Sequence, residues 1–203
     1  MSSFEYYNIE KNTSILSKEK SSKFIAYSFL VRSEDDVKTH IEKLWNEHPK
    51  ATHICYAYRL GTEGTKYRAN DDGEPSGSAG KPILSQIDSA NVTDCLIAVV
   101  RYYGGTKLGV PGLISAYKSA SKDCLDASGK VKKEITFLAE LRVDILHSND
   151  CMRFLKQNHI CILDFNSTEA EAVWKLEIPL QQKEVTLQKF KSVYQWPLNL
   201  KIL

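Results

Sequence analysis

The chain has 203 residues, of which 42% are hydrophobic, and carries a formal net charge of +2. This composition supports a packed core and excludes an intrinsically disordered chain. The small net charge excludes a strongly basic nucleic-acid-binding protein, so any contact with nucleic acid requires a local patch. The five cysteines form no C-x-x-C pair, and no apolar stretch approaches the roughly 20 residues that span a bilayer. We therefore expect a soluble cytoplasmic protein with reduced thiols and no membrane contact.

The first part of the chain alternates strand and helix patterns. Residues 22–31 are apolar and aromatic on both faces, which is typical of a buried strand. Ser33 and Asp36 form an S-x-x-D capping box at the start of a helix. Residues 52–60 alternate in character as a strand does, and residues 65–69 return as its hairpin partner.

A polar loop over residues 70–81 separates this hairpin from two further helices. Pro82 favours a first helical turn, and the unbroken apolar run over residues 95–100 predicts a buried strand. After Gly109 the apolar residues recur at helical spacing, and the helix is expected to end near Ser128.

The second part of the chain predicts a ferredoxin-like domain with the element order β-α-β-β-α-β. Its strand patterns cover 138–146, 160–165, 172–178 and 198–203, and its helix patterns lie near 148–155 and 187–194. The polar, glycine-marked segment 129–135 predicts a linker. The sequence therefore predicts two domains, 1–130 and 131–203, in an α+β fold.

The acidic segment of the polar loop has three interpretations. Carboxylate oxygens are the ligands that hard cations prefer, so the segment is a candidate cation site. Asp-Gly is also a strong turn dipeptide, which favours a structural turn, and the third interpretation is a loop that shapes a binding groove. The residues of this segment are Asp71, Asp72, Gly73, Glu74 and Pro75.

A glycine-rich turn between the strand at 95–100 and the helix after Gly109 is the strongest candidate site. Glycine permits close approach of a ligand, a helix N-terminus offers free amides to an anion, and aromatic rings stack bases. Strand alternation predicts that only one of the two tyrosines faces the groove, and Arg101 has the alternative of pairing with an acid of the 71–74 loop. The candidate nucleic-acid or anion-binding residues are Arg101, Tyr102, Tyr103, Gly104, Gly105, Lys107, Gly109, Gly112 and Lys81.

Other chemistry finds little support in the sequence. The phosphate-loop pattern G-x-x-x-x-G-K-[ST] is absent, because Pro82 follows Lys81, and the glycines do not fit G-x-G-x-x-G. No histidine pair has the spacing of a zinc protease, and no G-x-S-x-G elbow is present. We therefore predict no catalytic residue, no metal and no cofactor.

Four segments in the same order resemble the IMPACT/YigZ family over residues 20–128. They are Ser22–Ala26, Ala51–Arg59, Asp71–Pro82 and Val99–Gly105 with Leu108-Gly109. The order of the two domains is similar to that of the bacterial YigZ branch.

The resemblance implies an N-terminal domain like the second domain of a small-subunit ribosomal protein, a βαβ-containing sheet with helices on one face. It implies a C-terminal domain similar to a domain of elongation factor G. Eukaryotic relatives, which carry an additional partner-binding module, are implicated in restraining a kinase of translation initiation. For the bacterial branch the resemblance implies nucleic-acid binding.

We therefore expect a non-enzymatic, translation-linked regulator or binding protein. It would hold RNA or a phosphate-bearing ligand in a groove between the 71–82 loop and the 101–112 turn. One alternative is a protein-interaction module that contacts a ribosomal or translation-factor partner. A second alternative is an enzyme that acts on a small phosphorylated substrate.

Overall fold

The computed structural model describes residues 4–193 and 199–202 of the chain. The chain forms two compact units. The first unit comprises Glu5–Lys133, and the second comprises the residues from Glu134 onward together with Phe4. Among the described residues, no helix combines the length and the apolar character needed to cross a bilayer.

The first unit is built on a five-stranded antiparallel sheet. In chain order the strands are β1 (Glu5–Ile9), β2 (Thr13–Glu19), β3 (Ser22–Leu30), β4 (His53–Leu60), β5 (Lys66–Asn70), β6 (Cys95–Tyr102) and β7 (Lys130–Glu134). Strands β1 and β7 lie outside the five-stranded sheet. Its helices are α1 (Glu34–Glu47), α2 (Gly80–Ala90) and α3 (Gly109–Ser128). The order in the main sheet is β2-β3-β6-β4-β5, so β3, α1 and β4 form a split βαβ unit around β6.

Helices cover both faces of this sheet, whereas the resemblance implied helices on one face. Residues Ile97 and Val99 of β6 belong to the core under α2 and α3, and the alternate residues Ala98 and Val100 pack with Leu44 of α1. The physical reason is that β6 is apolar on both sides, and each apolar side needs a cover. The expected capping box of α1 is present, with Ser33 and Asp36 bonded reciprocally.

Three strands lie where the sequence analysis predicts no element or a linker. Strands β1 and β2 precede residue 22, and β7 occupies the polar segment that was expected to be a linker. β7 pairs with β1 in a two-stranded sheet, and Lys132 bonds Glu5 at 2.6 Å. This segment is a strand because it pairs with a distant strand, not because of apolar character. The division between the two units, after Lys133, lies within the predicted 129–135 segment.

The second unit has the ferredoxin-like order that the sequence predicts. Its elements are β8 (Thr136–Asp144), α4 (Ser148–Gln157), β9 (Cys161–Ser167), β10 (Glu171–Pro179), α5 (Lys183–Val193) and β11 (Asn199–Ile202). The sheet order is β11-β8-β10-β9, and the fully buried Trp174 lies in its core. The α+β fold class is thus confirmed.

Candidate functional site

A groove on the first unit lies between the polar loop that precedes α2 and the turn that joins β6 to α3. Its volume is about 430 Å³, within the range of small-ligand pockets. We call it the loop–turn groove. It is lined by Thr52, His53, Glu74, Pro75, Arg101, Tyr103, Lys107, Leu108, Gly109, Val110 and Leu113.

A buried ion pair forms part of the groove's floor. The Nη1 atom of Arg101 lies 2.5 Å from Oε1 of Glu74, and the two side chains are only 7% and 4% exposed. The same carboxylate oxygen accepts a hydrogen bond of 2.8 Å from the Tyr117 hydroxyl. Burial raises the pKa of Tyr117, so its hydroxyl stays protonated and donates. Arg101 therefore pairs with the acidic loop, which is the alternative that the sequence left open.

One donor of the Arg101 guanidinium has no partner. Its Nε atom is buried and makes no hydrogen bond to any described residue. The guanidinium carbon lies 5.6 Å from the ring centre of Phe24 and 5.5 Å from that of Tyr103. This N–H is therefore a buried donor beside two aromatic rings, with no oxygen or nitrogen of a described residue as its acceptor.

His53 lies beside Arg101 at the groove. The two residues are register partners on β4 and β6, so their side chains leave the same face of the sheet as neighbours. The Nδ1 atom of His53 lies 2.7 Å from the backbone carbonyl of Asp72. A carbonyl only accepts, so Nδ1 carries a proton and donates it to Asp72.

The carboxylates of the acidic loop serve internal contacts. Asp71 accepts backbone N–H bonds from Gly77, Ala79 and Gly80 at 2.8–3.0 Å. Burial acts to raise the pKa of Asp71, but these bonds outweigh it and hold that pKa below its ordinary value. Asp72 accepts from the Ile54 amide at 2.6 Å. The loop is therefore a structural turn that also shapes the groove.

Metal-ligand clusters were sought throughout residues 4–193 and 199–202. No group of three or more His, Cys, Asp or Glu side chains there is arranged to hold a metal ion.

The N-terminus of α3 forms one wall of the groove. No described side chain caps it, so the amides of Gly109 and Val110 are free of intrahelical partners, and Pro111 has no N–H to offer. Lys107 lies exposed at the rim. By its position the Gly112 amide is the first to bond inside the helix, so Gly112 contributes no free donor.

Several sequence-predicted site residues lie away from the groove's lining. Tyr102 points to the opposite face and bonds His48 through its hydroxyl at 2.9 Å, as strand alternation predicts. Gly104 is required for a different reason than ligand approach, because a Cβ there would overlap the backbone of Ser21. Gly105 has φ +84° with open space around it, and Lys81 is exposed on α2.

Two polar residues of the site were not predicted from the sequence. His53 precedes the buried part of β4, and the sequence analysis gives it no role in a site. Tyr117 lies on the apolar side of α3, where it is fully buried. The signal in both cases is a polar group on a core-facing position, which requires a partner across the sheet or loop.

The comparisons with known proteins bear on the same unit. Residues 20–125 match the family described as the Impact N-terminal domain. The chain belongs to the IMPACT family. Every residue that lines the loop–turn groove lies within the matched stretch. The groove is therefore a feature of the part of the chain that defines its family.

Two IMPACT relatives illustrate the extent of the likeness. The chain is 32% identical to IMPACT family member YvyE of Bacillus subtilis over 150 residues, which are 74% of this chain and 69% of that protein. It is 40% identical to IMPACT family member YigZ of Escherichia coli over 100 residues, 48% of this chain and 49% of that protein. The matched region thus spans between about half and two thirds of these relatives.

A solved structure extends the likeness to the whole chain. The crystal structure of a hypothetical protein superimposes with a TM-score of 0.76 over 99% of this chain and 98% of its own, at 25% identity. The two-unit architecture is therefore shared with an experimentally determined fold.

Proposed function

We propose that this IMPACT family member is a non-enzymatic, translation-linked binding protein that holds a phosphate-bearing ligand in the loop–turn groove. The ligand is single-stranded RNA or a free nucleotide, which share the same phosphate chemistry. One observation carries the proposal: two helix amides without a side-chain cap and an exposed lysine lie along one concave space.

The anion-binding part of the groove lies at its α3 end. The free amides of Gly109 and Val110 stand at the positive end of a 20-residue helix, where an oxyanion is favoured. Lys107 at the rim adds a full positive charge. Arg101 adds little net charge, because Glu74 neutralises it.

The proposed base-binding part of the groove lies beside the anion-binding part. The ring of Tyr103 is 44% exposed at the groove, although most large aromatic residues of the first unit are more deeply buried. An exposed ring next to cations is typical of proteins that stack unpaired bases. The translation link is supported by membership of the IMPACT family, and the groove supports the choice of ligand.

The test is binding of a fluorescent single-stranded RNA, measured by anisotropy at several salt concentrations. We expect the Lys107→Ala variant to bind more weakly and to reduce the slope of log affinity against log salt by about one. Lys118→Ala, an exposed lysine of α3 outside the groove, is the matched control and should behave as wild type. Free nucleotides as competitors separate the two sources of phosphate. Unchanged RNA affinity in Lys107→Ala would refute the proposed site.

A protein-interaction module is the second candidate, and one observation favours it. Val110 and Ile114 on α3 are 46% and 38% exposed, which leaves apolar surface at and beside the groove. Such surface suits a protein partner from the translation apparatus. Partners retained after nuclease treatment by wild type but lost by Ile114→Glu would support this candidate. If Ile114→Glu still binds RNA, the RNA site does not depend on this apolar surface, and the two candidate functions are distinguished.

A further inference from the structure

Strand β2 forms one open edge of the five-stranded sheet. It runs from Thr13 to Glu19 and pairs with β3 on one side, and no strand of the described residues pairs with it on the other. Its register against β3 runs without a shift from end to end, so no bulge disturbs the edge. An edge strand of this kind presents a row of backbone N–H and C=O groups that another extended chain can bind.

The hairpin that joins β2 to β3 decides which backbone groups point outward. The two-residue turn between Glu19 and Ser22 makes these residues the first hydrogen-bonded pair, and such pairs then alternate with pairs that are not hydrogen-bonded. The backbone groups of Ser14, Leu16 and Lys18 therefore point away from β3. All three residues are exposed, and no turn or loop bond from a described residue reaches their backbone.

The side chains of the same three residues lie on the α1 side of the sheet, beyond the cover that α1 provides. Their neighbours on β3, Ile25 and Tyr27, are half-buried beside α1, whereas Leu16 is 56% exposed. The alternate side chains of β2 face the other way, and Ile15 packs against the core there. The open edge therefore combines free backbone groups with an exposed apolar side chain at the middle of the strand.

Unneutralised positive charge lies at one end of this edge. Lys18 and Lys23 are register partners, so their ammonium groups leave the same face of the sheet at neighbouring positions. Lys20 lies in the turn between them, and none of the three forms an ion pair with a described residue. The nearby Glu19 side chain points to the opposite face, as strand alternation requires. Because like charges directly opposite each other destabilise a strand pair, a carboxylate supplied by a partner would relieve this repulsion.

We infer that the open edge of β2 binds an acidic peptide segment in extended form, which joins the sheet as a further strand. Antiparallel pairing is the more stable arrangement. It places a carboxylate opposite Lys18, then an apolar side chain opposite Leu16, then a small polar side chain opposite Ser14, at every second position of the segment. Main-chain bonds supply the affinity, and the side chains supply the preference for this order. The edge shares no residue with the lining of the loop–turn groove, so the inference is independent of the proposed function.

The experiment combines the full chain with an end-blocked peptide of about nine residues, a typical strand length. Glutamate, valine and threonine occupy alternate positions of the peptide in that order, and the other positions are threonine. Amide exchange is followed residue by residue by NMR. At saturating peptide we expect the outward amides of Ser14, Leu16 and Lys18 to exchange about tenfold more slowly or less. The amides of Ile15 and Ser17, which already face β3, should not change. Protection of every second amide is a signature of strand addition that contact through side chains alone would not produce.

Modified peptides separate backbone pairing from charge attraction. N-methylation of the valine removes an N–H that would bond the Leu16 carbonyl, whereas N-methylation of the next threonine removes one that points to solvent. We expect the first change to weaken binding by about tenfold relative to the second. Lysine in place of the glutamate should also weaken binding. The affinity ratio between the glutamate and lysine peptides should fall by about threefold or more in Lys18→Glu.

A variant of the edge tests the same bonds from the protein side. Leu16→Pro removes the outward N–H without removing a bond to β3, and edge strands accept proline in that orientation. Leu16→Thr also loses the leucine side chain but keeps the N–H, so it is the matched control. We expect Leu16→Pro to lose binding and Leu16→Thr to retain it within about fivefold. If Leu16→Pro does not melt cooperatively, the two N-methylated peptides on the wild-type protein provide the comparison.

Four results would overturn the inference. They are no binding of the glutamate peptide, equal affinity of the two N-methylated peptides, protection of the outward amides by single-stranded oligouridine instead of the peptide, and protection that rises with protein concentration alone. The last result would assign the edge to a second copy of the chain. None of them changes the effect expected of Lys107→Ala on RNA binding, so the proposed function is tested separately.

Discussion

Replacing Glu74 by glutamine tests whether the buried ion pair organises the groove. At 2.5 Å and an effective dielectric constant of about 20, the gross Coulomb attraction between the two charges is about 6–7 kcal/mol. Desolvation offsets part of this, and removing one member of a buried pair typically costs about 3–5 kcal/mol. We expect Glu74→Gln to lower the free energy of unfolding by about 4 kcal/mol, since Arg101 keeps its charge and Gln retains an acceptor for Tyr117.

Hydrogen exchange of β6 is the assay, because β6 carries Arg101 and lies at the centre of the sheet. A loss of about 4 kcal/mol corresponds to roughly thousandfold faster exchange of its most protected amides. Glu63→Gln, at an exposed turn position, is the matched control and should change exchange less than about threefold. The double variant Glu74→Gln/Arg101→Met should recover most of the loss, because no uncompensated charge remains.

Two results would refute this reasoning. Exchange in Glu74→Gln that rises by less than about fivefold would show that Arg101 tolerates its buried position without the partner. A double variant that exchanges as fast as Glu74→Gln would show that the loss comes from the glutamine itself rather than from the isolated charge.

Three further predictions concern the rest of the chain. Gly104→Ala should destabilise the first unit by about 2–3 kcal/mol in urea unfolding, because the new Cβ overlaps the Ser21 backbone; wild-type stability would contradict this. Ser33→Ala should cost about 1 kcal/mol through loss of the α1 cap, and Ser33→Asp should restore it. Burial raises the pKa of the Cys124 and Cys151 thiols from 9.0 to about 11 and about 12. As the pH rises, the thiols therefore ionise first in the unfolded chain. The contribution of each buried thiol to the free energy of unfolding is full below pH 9 and declines above it, by up to about 1.4 kcal/mol per pH unit. Melting temperatures from pH 7 to 10.5 check this, and Cys124→Ala should fall less steeply than wild type.

The local sequence pattern was sufficient to predict the strands and helices that bury their own apolar residues. The run Cys95–Val100 predicts β6 because every residue in it is apolar, and Ser33 with Asp36 predicts the start of α1 because the cap is a local bond. β7 could not be predicted in this way. Its sequence places one valine among charged residues, and its strand conformation depends on pairing with β1, more than a hundred residues earlier.

The same distinction between local pattern and long-range contact applies to the residues of the site. The turn after β6 predicts the free amides of α3 from local backbone geometry. Strand alternation predicts that one of the two tyrosines faces the groove, and the structure shows that it is Tyr103. The burial of Arg101 and the position of His53 do not follow locally, because they depend on a loop and a strand brought in from residues 53–74. Sequence alone therefore indicates the groove but leaves open whether Arg101 is free or paired with the acidic loop, and the contact with Glu74 decides for the pair.

The pairing of β1 with β7 has a consequence for biosynthesis. The first strand of the chain emerges from the ribosome long before its partner, which ends at Glu134. At about 5–20 residues per second, the interval is roughly 6 to 24 seconds. Throughout that time β1 has unpaired backbone groups, so the nascent chain offers a binding edge to chaperones until the two-stranded sheet closes.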